Sequence, residues 1–540
     1  MTPKEIKTRA EKLRGARQTT DAFWQEVADY MMPSREFTRS SAPGTRRGRR
    51  IMNDTPISAA EQLAGGLHGM LTSPALRWFK LRASKAPGIG HNGGPGYGED
   101  DAAEAWFETV TEGMFAEFNS PKAGFDTAAH EVYLDITAFG NGCLFVGDGG
   151  RHGVQFVSVP LAECFITLNR IGKVNGLWRC FKATAEQILA DWPDCSSKAV
   201  REAAAKAPDA KFDIVHAVYE KQKGEGGSWA YHSCYVLSGD DTELERGGFM
   251  EFPYVFARWS RRSGEDYGYG PGMQALPSIR QLNKIEEVNL RGSAKAMDPP
   301  MALPDDGFLG PVATQPGSLS YYRSGEPMKD RVFPLFAGVR PELGVEMIRL
   351  LEERIMRLFY VTWMNLPTQP NMTATEVLQR RDEQLRLLGP MVARLQQEFL
   401  GPLIERVFAV MARNGLVPPP PASLTEYEVE YQSPLALSQK ASDADGVLRW
   451  LAAVAQMAQV DPRAADQVDV PRATRFLADR YGVPPSAVRD MAEAETMGDQ
   501  RDQATQAAMQ VEGLQGVAAA AKDGAGAVRD LATMQPQGAA

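Results

Sequence analysis

Few residues in this chain are spaced as a catalytic or metal site requires. His130-Glu131 begins like the zinc-binding helix of a metalloprotease, but Leu134 stands where the second histidine ligand would be. The segment Gly226–Ala230 lacks the closing glycine of the turn that exposes a nucleophilic serine. The six histidines of the chain show no ligand spacing. The sequence therefore predicts no catalytic residue, no metal site and no cofactor.

Glycine motifs that bind phosphate are excluded as well. The chain has no G-x-x-x-x-G-K-[ST] loop. Gly88-x-Gly90-x-x-Gly93 matches a dinucleotide fingerprint, but further glycines and a proline follow it, and the next helix opens with Glu99-Asp100-Asp101. These carboxylates would repel phosphate, whereas they suit the positive end of a helix over 102–118. The glycine-rich residues 87–98 are therefore interpreted as a surface loop.

Composition narrows the class of protein. A chain of 540 residues that is 43% hydrophobic and 24% charged can bury a sizeable core, and its length predicts roughly three or four structural units. The net charge of -9 argues against bulk attraction to nucleic acid, so any DNA contact must be local. Five scattered cysteines without a Cys-x-x-Cys pair favour reduced, mostly buried thiols in a cytosolic setting. Neither a signal peptide nor a membrane span is predicted.

An arginine-rich stretch follows a predicted helix over residues 3–32. Its arginines are interleaved with Ser, Gly and Pro; they are Arg35, Arg39, Arg46, Arg47, Arg49 and Arg50. Two interpretations stay open. The stretch is a solvated arm, or it contacts acidic neighbours or DNA phosphate.

The best-patterned stretch of the chain, Pro341–Leu416, predicts a helix, a break and a longer kinked helix. The first helix, over 342–360, has one apolar face, formed by Ile348, Leu351, Ile355 and Leu358. Pro367 and Pro370 interrupt it, and a capping box over 373–376 starts the second helix. We expect Gly389-Pro390 and Gly401-Pro402 to kink that helix without ending its amphipathic pattern.

A partner for the first of these helices is predicted over 278–297, starting at a capping box formed by Ser278 and Gln281. One of its sides is apolar, with Ile279, Leu282, Ile285 and Val288. Both helices also have a charged face. Its residues are Arg280, Lys284, Glu287, Arg291 and Lys295 in one helix, and Glu346, Arg349, Glu353 and Arg357 in the other. The Pro- and Gly-rich residues 298–340 lie between the two helices.

The remaining segments predict an α+β, mainly helical protein. Short alternating segments predict strands over 78–81, 143–146, 154–159, 164–168, 213–219, 229–237, 254–259 and 425–431. Further helices are predicted over 58–71, 102–118, 126–139, 185–191, 197–206, 444–458, 473–480 and 486–494. The Ala-, Gln- and Gly-rich end of the chain predicts a weakly packed or mobile tail.

The order of these parts resembles the portal, or head-to-tail connector, proteins of tailed bacteriophages, in particular the short-tailed T7-like group. Local sequence is also similar to that family in Ile57–Pro74 with Trp78-Phe79, in Tyr267–Gly272 and in Thr373–Val377. The resemblance covers roughly residues 5–495, with residues 87–98 as an insertion.

The resemblance implies a ring-forming portal-type fold with wing, stem, clip and crown regions. The implied regions are 1–85 (N-terminal helices and basic arm of the wing), 86–101 (linker), 102–276 (α+β wing), 277–297 and 341–360 (stem helices), 298–340 (clip), 361–373 (tunnel loop), 374–440 (long kinked helix and return strand of the wing), 441–495 (helical crown) and 496–540 (mobile tail).

It also implies residue roles and partners. The tunnel loop facing DNA would contain Trp363, Met364, Asn365, Gln369, Asn371 and Met372. Stem contacts between subunits would involve Arg280, Lys284, Glu287, Arg291, Arg349, Glu353 and Arg357. The clip would dock partners through Phe308, Tyr321, Tyr322, Arg323 and Lys329. The implied partners are further copies in a ring of twelve, double-stranded DNA, major capsid and scaffolding proteins, terminase and tail adaptor proteins, with no membrane.

The resulting expectation is a structural protein of the virion, present in the host cytoplasm before assembly, that serves DNA packaging and ejection. One alternative is another phage structural protein, such as a tail adaptor or capsid component. A cytosolic enzyme with an unrecognised site is a further alternative. Particle size separates these hypotheses, because an enzyme would be expected to be monomeric to tetrameric.

Overall fold

The structure is a computed structural model that describes residues 1–39, 48, 51–83, 101–150, 153–222, 224, 228–297, 301–302, 333–334, 341–364, 389–421, 427–431, 434–459, 461–481, 483, 496–498, 500, 501 and 503. It divides into two compact units. The first comprises Met1–Phe79, Thr111–Pro418 and Tyr431–Leu435. The second comprises the described parts of Lys80–Val110, Pro419–Glu430 and Ala436–Ala540.

Helices form most of the regular structure. In chain order they are α1 (Pro3–Met31), α2 (Thr55–Leu71), α3 (Asp101–Phe118), α4 (Phe125–Phe139), α5 (Ala185–Asp191), α6 (Lys198–Lys206), α7 (Pro271–Met297), α8 (Pro341–Leu358) and α9 (Val361–Met364). Later come the π-helical turn Gln396–Leu400 and the helices Gly401–Arg413, Pro434–Ala458 and Val470–Arg480. Short 3-10 turns occupy Leu161–Glu163 and Pro462–Gln467.

The strands form two larger antiparallel sheets in the first unit and two strand pairs. They are β1 (Phe79–Ala83), β2 (Asn141–Asp148), β3 (Val154–Ser158), β4 (Cys164–Leu168), β5 (Val174–Thr184), β6 (Lys211–Glu220), β7 (Tyr231–Leu237), β8 (Thr242–Phe249), β9 (Tyr254–Arg258), β10 (Met301–Ala302), β11 (Phe333–Pro334) and β12 (Tyr427–Tyr431). A five-stranded sheet has the order β4-β5-β6-β7-β8, and a three-stranded sheet has the order β3-β2-β9. β10 pairs with β11, and β1 pairs with β12. The predicted α+β, mainly helical class is confirmed.

Sequence patterning missed two strands of the five-stranded sheet. β5 lies between β4 and β6 and has no simple alternation of polar and apolar residues. β8 is an edge strand that carries Glu243, Glu245, Arg246 and two glycines. Charged edge strands are common because they discourage pairing with other chains, but this composition hides them from a hydrophobicity pattern.

The five-stranded sheet is covered on both faces by helices of the same unit. Ile6 and Ala10 of α1 pack against a cluster that includes Phe165, Trp178 and Val215. On the other side, a second cluster joins α5 and α6 to the sheet through Ile188, Val200, Ile214 and Leu237. The sheet is therefore a buried layer that orients α1.

A buried arginine fixes α1 against the turn before β4. Arg17 donates to the backbone carbonyls of Leu161, Ala162 and Cys164, and its guanidinium lies 3.9 Å from the ring centroid of Phe165. Its Nε lies 2.8 Å from the Asp21 carboxylate. Buried charge is tolerated here because partners surround the guanidinium.

Several helix starts agree with the sequence predictions to within one residue, but the helix predicted over 444–458 begins at Pro434. Thr2 and Glu5 form a capping box at α1, and Gly140 ends α4 in a left-handed conformation. α2 begins three residues earlier than Ser58, with Pro56 in its first turn. All five cysteines are free thiols, and four of them are buried, as predicted.

Candidate functional site

The root of α7 is held by direct backbone contact between two glycine motifs. A Cβ built on Gly270 would lie 2.5 Å from the backbone nitrogen of Gly140, and one built on Gly268 would lie 2.3 Å from the Gly140 carbonyl oxygen. The Asn141 side chain donates to the Gly268 carbonyl over 3.1 Å and accepts from the Gly268 amide over 2.7 Å. Only glycine permits backbones to approach this closely. This contact between Gly140-Asn141 and Gly268–Gly270, which we call the glycine joint, fixes the start of α7 against the end of α4.

α7 starts at Pro271, so the predicted capping box at Ser278 is wrong. Ser278 is buried inside the helix, one residue after Pro277. A proline in a helix leaves the carbonyl four residues earlier without its amide donor. That carbonyl belongs to Met273, and it accepts a hydrogen bond from the Tyr269 hydroxyl over 3.3 Å. The turn before the helix thus compensates for Pro277, and the helix continues.

α7 and α8 pack side by side and run antiparallel. A Cβ on Gly344 would lie 2.6 Å from the Asn289 side-chain oxygen, which places the start of α8 beside the later half of α7. β10 and β11, which follow α7 and precede α8, pair antiparallel with Met301 opposite Pro334. The predicted side-by-side packing of these two helices is confirmed.

Burial changes sharply along this helix pair. The first half of α7 is buried, including Ile279 and Leu282, and so are Ile355 near the end of α8 and Phe359 just after it. The other halves expose large apolar side chains, with Val288 56% and Leu350 57% exposed. The exposed set is Val288, Leu290, Met297, Val345, Met347 and Leu350. Several large apolar side chains exposed along one helix pair make this part of the described surface a candidate interaction site.

The predicted charged residues lie mostly on the surface and pair locally. Glu287 accepts from Lys284 over 3.1 Å and lies 2.6 Å from Arg291; the hydrogen bond to Lys284 is the main cause that lowers the pKa of Glu287. Arg349 and Glu353 form an i,i+4 pair at 3.3 Å. The remaining predicted stem residues are Arg280 and Arg357. Arg280 pairs with Glu26 of α1 at 3.1 Å, and Arg357 is exposed.

Residues 52–55, which we call the strap, bridge both helices. The Met52 amide donates to Asn283 Oδ1 of α7 over 2.7 Å. Asn53 Nδ2 donates to Glu352 Oε1 of α8 over 2.8 Å, and the Thr55 hydroxyl reaches the same oxygen at 3.4 Å. The contacts of the strap were not predicted from the sequence. The one feature in the sequence near the strap is Pro56, which is typical of a first helical turn and marks the start of α2.

α8 ends before the position at which Pro367 and Pro370 predicted a break in the helix. α8 ends at Leu358 rather than Tyr360, and Tyr360 adopts a left-handed conformation with φ of 60°. Its ring lies 6.1 Å from that of Trp259. Phe359 and Val361 are both buried. Residues two apart point to different sides of a continuous helix, so the left-handed residue between them lets both side chains bury.

Beyond this point several predicted residues lie outside the described part of the chain. Trp363 and Met364 belong to the short helix α9. The capping box over 373–376 and two groups of predicted site residues are not described. These are the tunnel-loop residues Asn365, Gln369, Asn371 and Met372, and the clip residues Phe308, Tyr321, Tyr322, Arg323 and Lys329.

The long helix resumes within the described residues at 389 and continues through Gly401-Pro402 by way of a π-helical turn. Its amphipathic pattern persists, as predicted, with Leu395, Phe399, Leu403, Ile404, Val407 and Val410 buried. The π-turn carries Glu398, which accepts two side-chain hydrogen bonds of 2.9 Å from the buried Arg258. The extra residue of a π-turn rotates the side chains that follow it relative to those before it. The predicted kink at Gly401-Pro402 stays a prediction.

Two arginines of the basic stretch are bound within their own chain. Arg35 Nε lies 2.9 Å from Asp135 Oδ1, and Arg39 lies 3.1 Å from Asp29 Oδ2. The Phe37 amide donates to the Gln25 side-chain oxygen over 2.9 Å. The stretch is therefore fastened to α1 and α4 at its N-terminal end. Arg46, Arg47, Arg49 and Arg50 lie outside the described residues.

The described residues lack two features that would point to other functions. They contain no group of three or more His, Cys, Asp or Glu side chains placed to hold a metal ion. Among the helices described, none combines the length and the apolar character needed to cross a membrane.

Comparison with known proteins decides the family. The family model described as "Bacteriophage head to tail connecting protein" matches residues 3–488. The chain belongs to this family. It is 30% identical over 538 residues to the "Probable portal protein" of Bordetella phage BPP-1, covering 95% of this chain and 94% of that protein. It is 27% identical over 533 residues to the "Portal protein" of Salmonella phage epsilon15, covering 95% and 93%.

Membership in the head-to-tail connecting family confirms the resemblance drawn from the ordered parts of the sequence. The matched region includes α7, α8, the strap and both ends of the break. Connecting proteins of this family are structural, so the alternative of a cytosolic enzyme is not supported. The head-to-tail connecting role implies partners in the capsid and the tail.

Proposed function

We propose that this chain is the subunit of a portal ring of twelve copies at one capsid vertex, through which DNA is packaged and ejected. The match to the connecting-protein family over residues 3–488 supports this assignment. Two relatives are themselves named portal proteins and align over nearly the whole chain. The ring would be part of the virion and would assemble in the host cytoplasm.

One observation carries the ring assembly, namely the exposed apolar side chains on the α7–α8 pair. Val288, Leu290, Val345, Met347 and Leu350 are each more than half exposed in the isolated chain. Burial of apolar area is the main favourable term in association, and a second copy of the same pair would cover these residues. This pair is the proposed stem of the ring.

The charged residues of the stem are proposed to set register between copies. Arg349, Glu353 and Arg357 are exposed on α8, and Lys284 and Arg291 are exposed on α7. Exposed ion pairs contribute at most about 1 kcal/mol each. The stability of the ring is therefore assigned to the apolar residues, while charge complementarity selects how neighbouring copies align.

The break between α8 and the long helix is the proposed contact with DNA. The segment 362–371 has no charged residue, and the chain is acidic overall. A continuous basic wall would hold DNA through its phosphates, whereas a conduit must let DNA slide. The proposed contacts are steric and polar, made by Trp363, Met364, Asn365, Gln369, Asn371 and Met372.

Residues 298–340, between the stem helices, are the proposed clip. They would meet terminase during packaging and tail adaptor proteins afterwards, through Phe308, Tyr321, Tyr322, Arg323 and Lys329. The α+β region over 102–276 is proposed as the wing, next to major capsid and scaffolding proteins. Residues 441–495 are proposed as the crown.

The ring is tested by the mass of the purified protein. Twelve chains of 59.2 kDa give a particle of about 0.7 MDa. Light scattering should report that mass, and negative-stain images should show rings with a central hole. A chain that stays monomeric to tetrameric at micromolar concentration, without rings, overturns the proposal.

The DNA contact is tested separately by complementation of a phage that lacks its own copy of the gene. Asn365→Trp and Gln369→Trp should form rings but reduce packaging or retention of DNA, because bulk narrows the conduit. The smaller variants Asn365→Ser and Gln369→Asn serve as matched controls and should package normally. Normal packaging by both tryptophan variants would remove this segment from the channel.

A further inference from the structure

The strap connects three helices through a small set of hydrogen bonds. It reaches α7 at Asn283 and α8 at Glu352, and it continues directly into α2. We infer that the strap is a positioning element that sets the spacing of the two stem helices and couples it to the turn leading into the break. This inference rests on the proposed function of the stem and the break.

Where the strap meets α7, it contacts a buried asparagine whose side-chain orientation is fixed by a second hydrogen bond. Asn283 is 5% exposed, and its Nδ2 donates to the Ile279 carbonyl over 3.0 Å. Its Oδ1 is therefore the atom turned toward the strap, where it accepts from the Met52 amide. A buried amide group without its partner is costly, so this contact fixes Met52 against α7.

The α8 end uses both ends of the Asn53 side chain. Asn53 Oδ1 accepts from the Thr55 amide over 2.9 Å, which closes a turn at the start of α2. Its Nδ2 donates to the Glu352 carboxylate. Hydrogen bonds to a charged acceptor are stronger than those between neutral groups. The Asn53 turn therefore holds α8 and the first turn of α2 together.

The path from the strap to the break runs through α2. Leu63, Ala64 and Leu67 of α2 are buried, and α2 packs against both α8 and α9. α9 is the last described element before the break, and Val361 at its start is buried. A change in the spacing of α7 and α8 at the strap must therefore move α2 or be absorbed at the left-handed Tyr360.

Exchanging the hydrogen-bond donor and acceptor between residues 53 and 352 tests the strap with side chains of nearly the same size. Asn53→Asp keeps the side-chain oxygen that accepts from the Thr55 amide. It removes the Nδ2 donor and places the new carboxylate beside the carboxylate of Glu352. The double variant N53D/E352Q restores one donor and one acceptor in reversed order and returns the original net charge. Glu61→Gln is the matched control, since Glu61 is an exposed carboxylate of α2 that belongs to neither the strap nor the charged stem residues.

Hydrogen–deuterium exchange on the assembled full-length protein reports the coupling. Asn53→Asp should raise exchange about tenfold at residues 52–55 and also at 358–364, the effect of losing a charge-assisted hydrogen bond from a local opening equilibrium. N53D/E352Q should restore both regions, and E61Q should match the wild type. In complementation, N53D should lower the fraction of DNA-filled heads and the double variant should recover it.

Faster exchange confined to 52–55, with residues 358–364 unchanged, would overturn the coupling. So would a double variant that stays as loose as N53D. Should N53D fail to fold, Glu352→Ala removes the acceptor while leaving the Asn53 turn intact, and the same two regions are read. Absence of a ring in the wild type counts against the proposed function alone, because the exchange coupling lies within one chain.

Discussion

Buried charge at single residues ties the arginine-rich stretch to the core. Asp135 of α4 is wholly buried, and burial raises its pKa to about 7 despite the opposing effect of Arg35. Arg39 makes a comparable pair with Asp29, but its side chain is 55% exposed. The two arginines lie four residues apart and thus offer a matched comparison of a buried and a surface ion pair.

Arg35→Ala should destabilise the protein far more than Arg39→Ala. Removing the partner of a buried carboxylate costs about 3–5 kcal/mol, whereas an exposed pair contributes under about 1 kcal/mol. Thermal unfolding at pH 8 is the measurement, with both variants in the same buffer. Equal melting temperatures for the two variants would contradict the assigned role of Asp135.

The raised pKa of Asp135 also predicts a pH dependence. The folded state holds this proton up to about pH 7, whereas the unfolded carboxyl loses it near its ordinary value of 3.8. The carboxyl therefore contributes stability at low pH that is lost as the pH rises toward 7. The melting temperature of Asp135→Asn minus that of the wild type should increase between pH 5 and pH 8. A difference that stays constant over this range would show that Asp135 does not titrate there.

At the scale of elements, the orientation of α7 depends on the glycine joint. The contacts among Gly140, Gly268 and Gly270 leave no room for a Cβ, and Asn141 bonds the two segments. The Tyr269 hydroxyl then supports the carbonyl left free by Pro277. Each contact lies near the start of α7. A small change in the direction of the helix there would therefore displace its far end by a larger distance.

Gly270→Ala should destabilise the protein or lower its yield of rings. Its methyl group would overlap the backbone of Gly140, and forced overpacking costs about 1–3 kcal/mol. Gly239→Ala is the control, because a Cβ there would meet no atom within 4 Å. Melting temperature and the proportion of assembled protein are measured for both. A Gly270→Ala variant as stable as Gly239→Ala would mean that the joint can open without loss.

At the scale of the whole molecule, the α7–α8 pair has a surface that a solitary chain leaves uncovered. Leu350→Glu combined with Val345→Glu should shift the protein from a particle of about 0.7 MDa to single chains or small oligomers. The separated chain should still be folded and unfold cooperatively, because both side chains are exposed in it and their replacement leaves its core intact.

Met250→Glu provides the control for added charge. Met250 is also an exposed apolar residue, but it lies between β8 and β9, outside the helix pair. This variant should assemble normally, as measured by light scattering. Rings that survive V345E/L350E unchanged would place the main contact between subunits elsewhere.

Much of the local structure follows from the sequence, because helix and strand periodicity depends on residues a few positions apart. Spacing alone placed α1, α4, α8 and the apolar face of the helix Gly401–Arg413. The same spacing could not separate Ile279 from Val288, which share one predicted face of α7. Ile279 is buried and Val288 is exposed, since the body of the unit covers only the first half of that helix.

The types of most elements, the acidic net charge, the lack of catalytic spacing and the ordered parts that indicate a head-to-tail connecting protein follow from the sequence. The contacts between residues far apart in the chain follow from the tertiary structure. Gly140 meets Gly270, Arg35 meets Asp135, and Asn53 meets Glu352. Such contacts leave no periodic trace, because each is specified by the packing of whole elements and not by its neighbours in sequence.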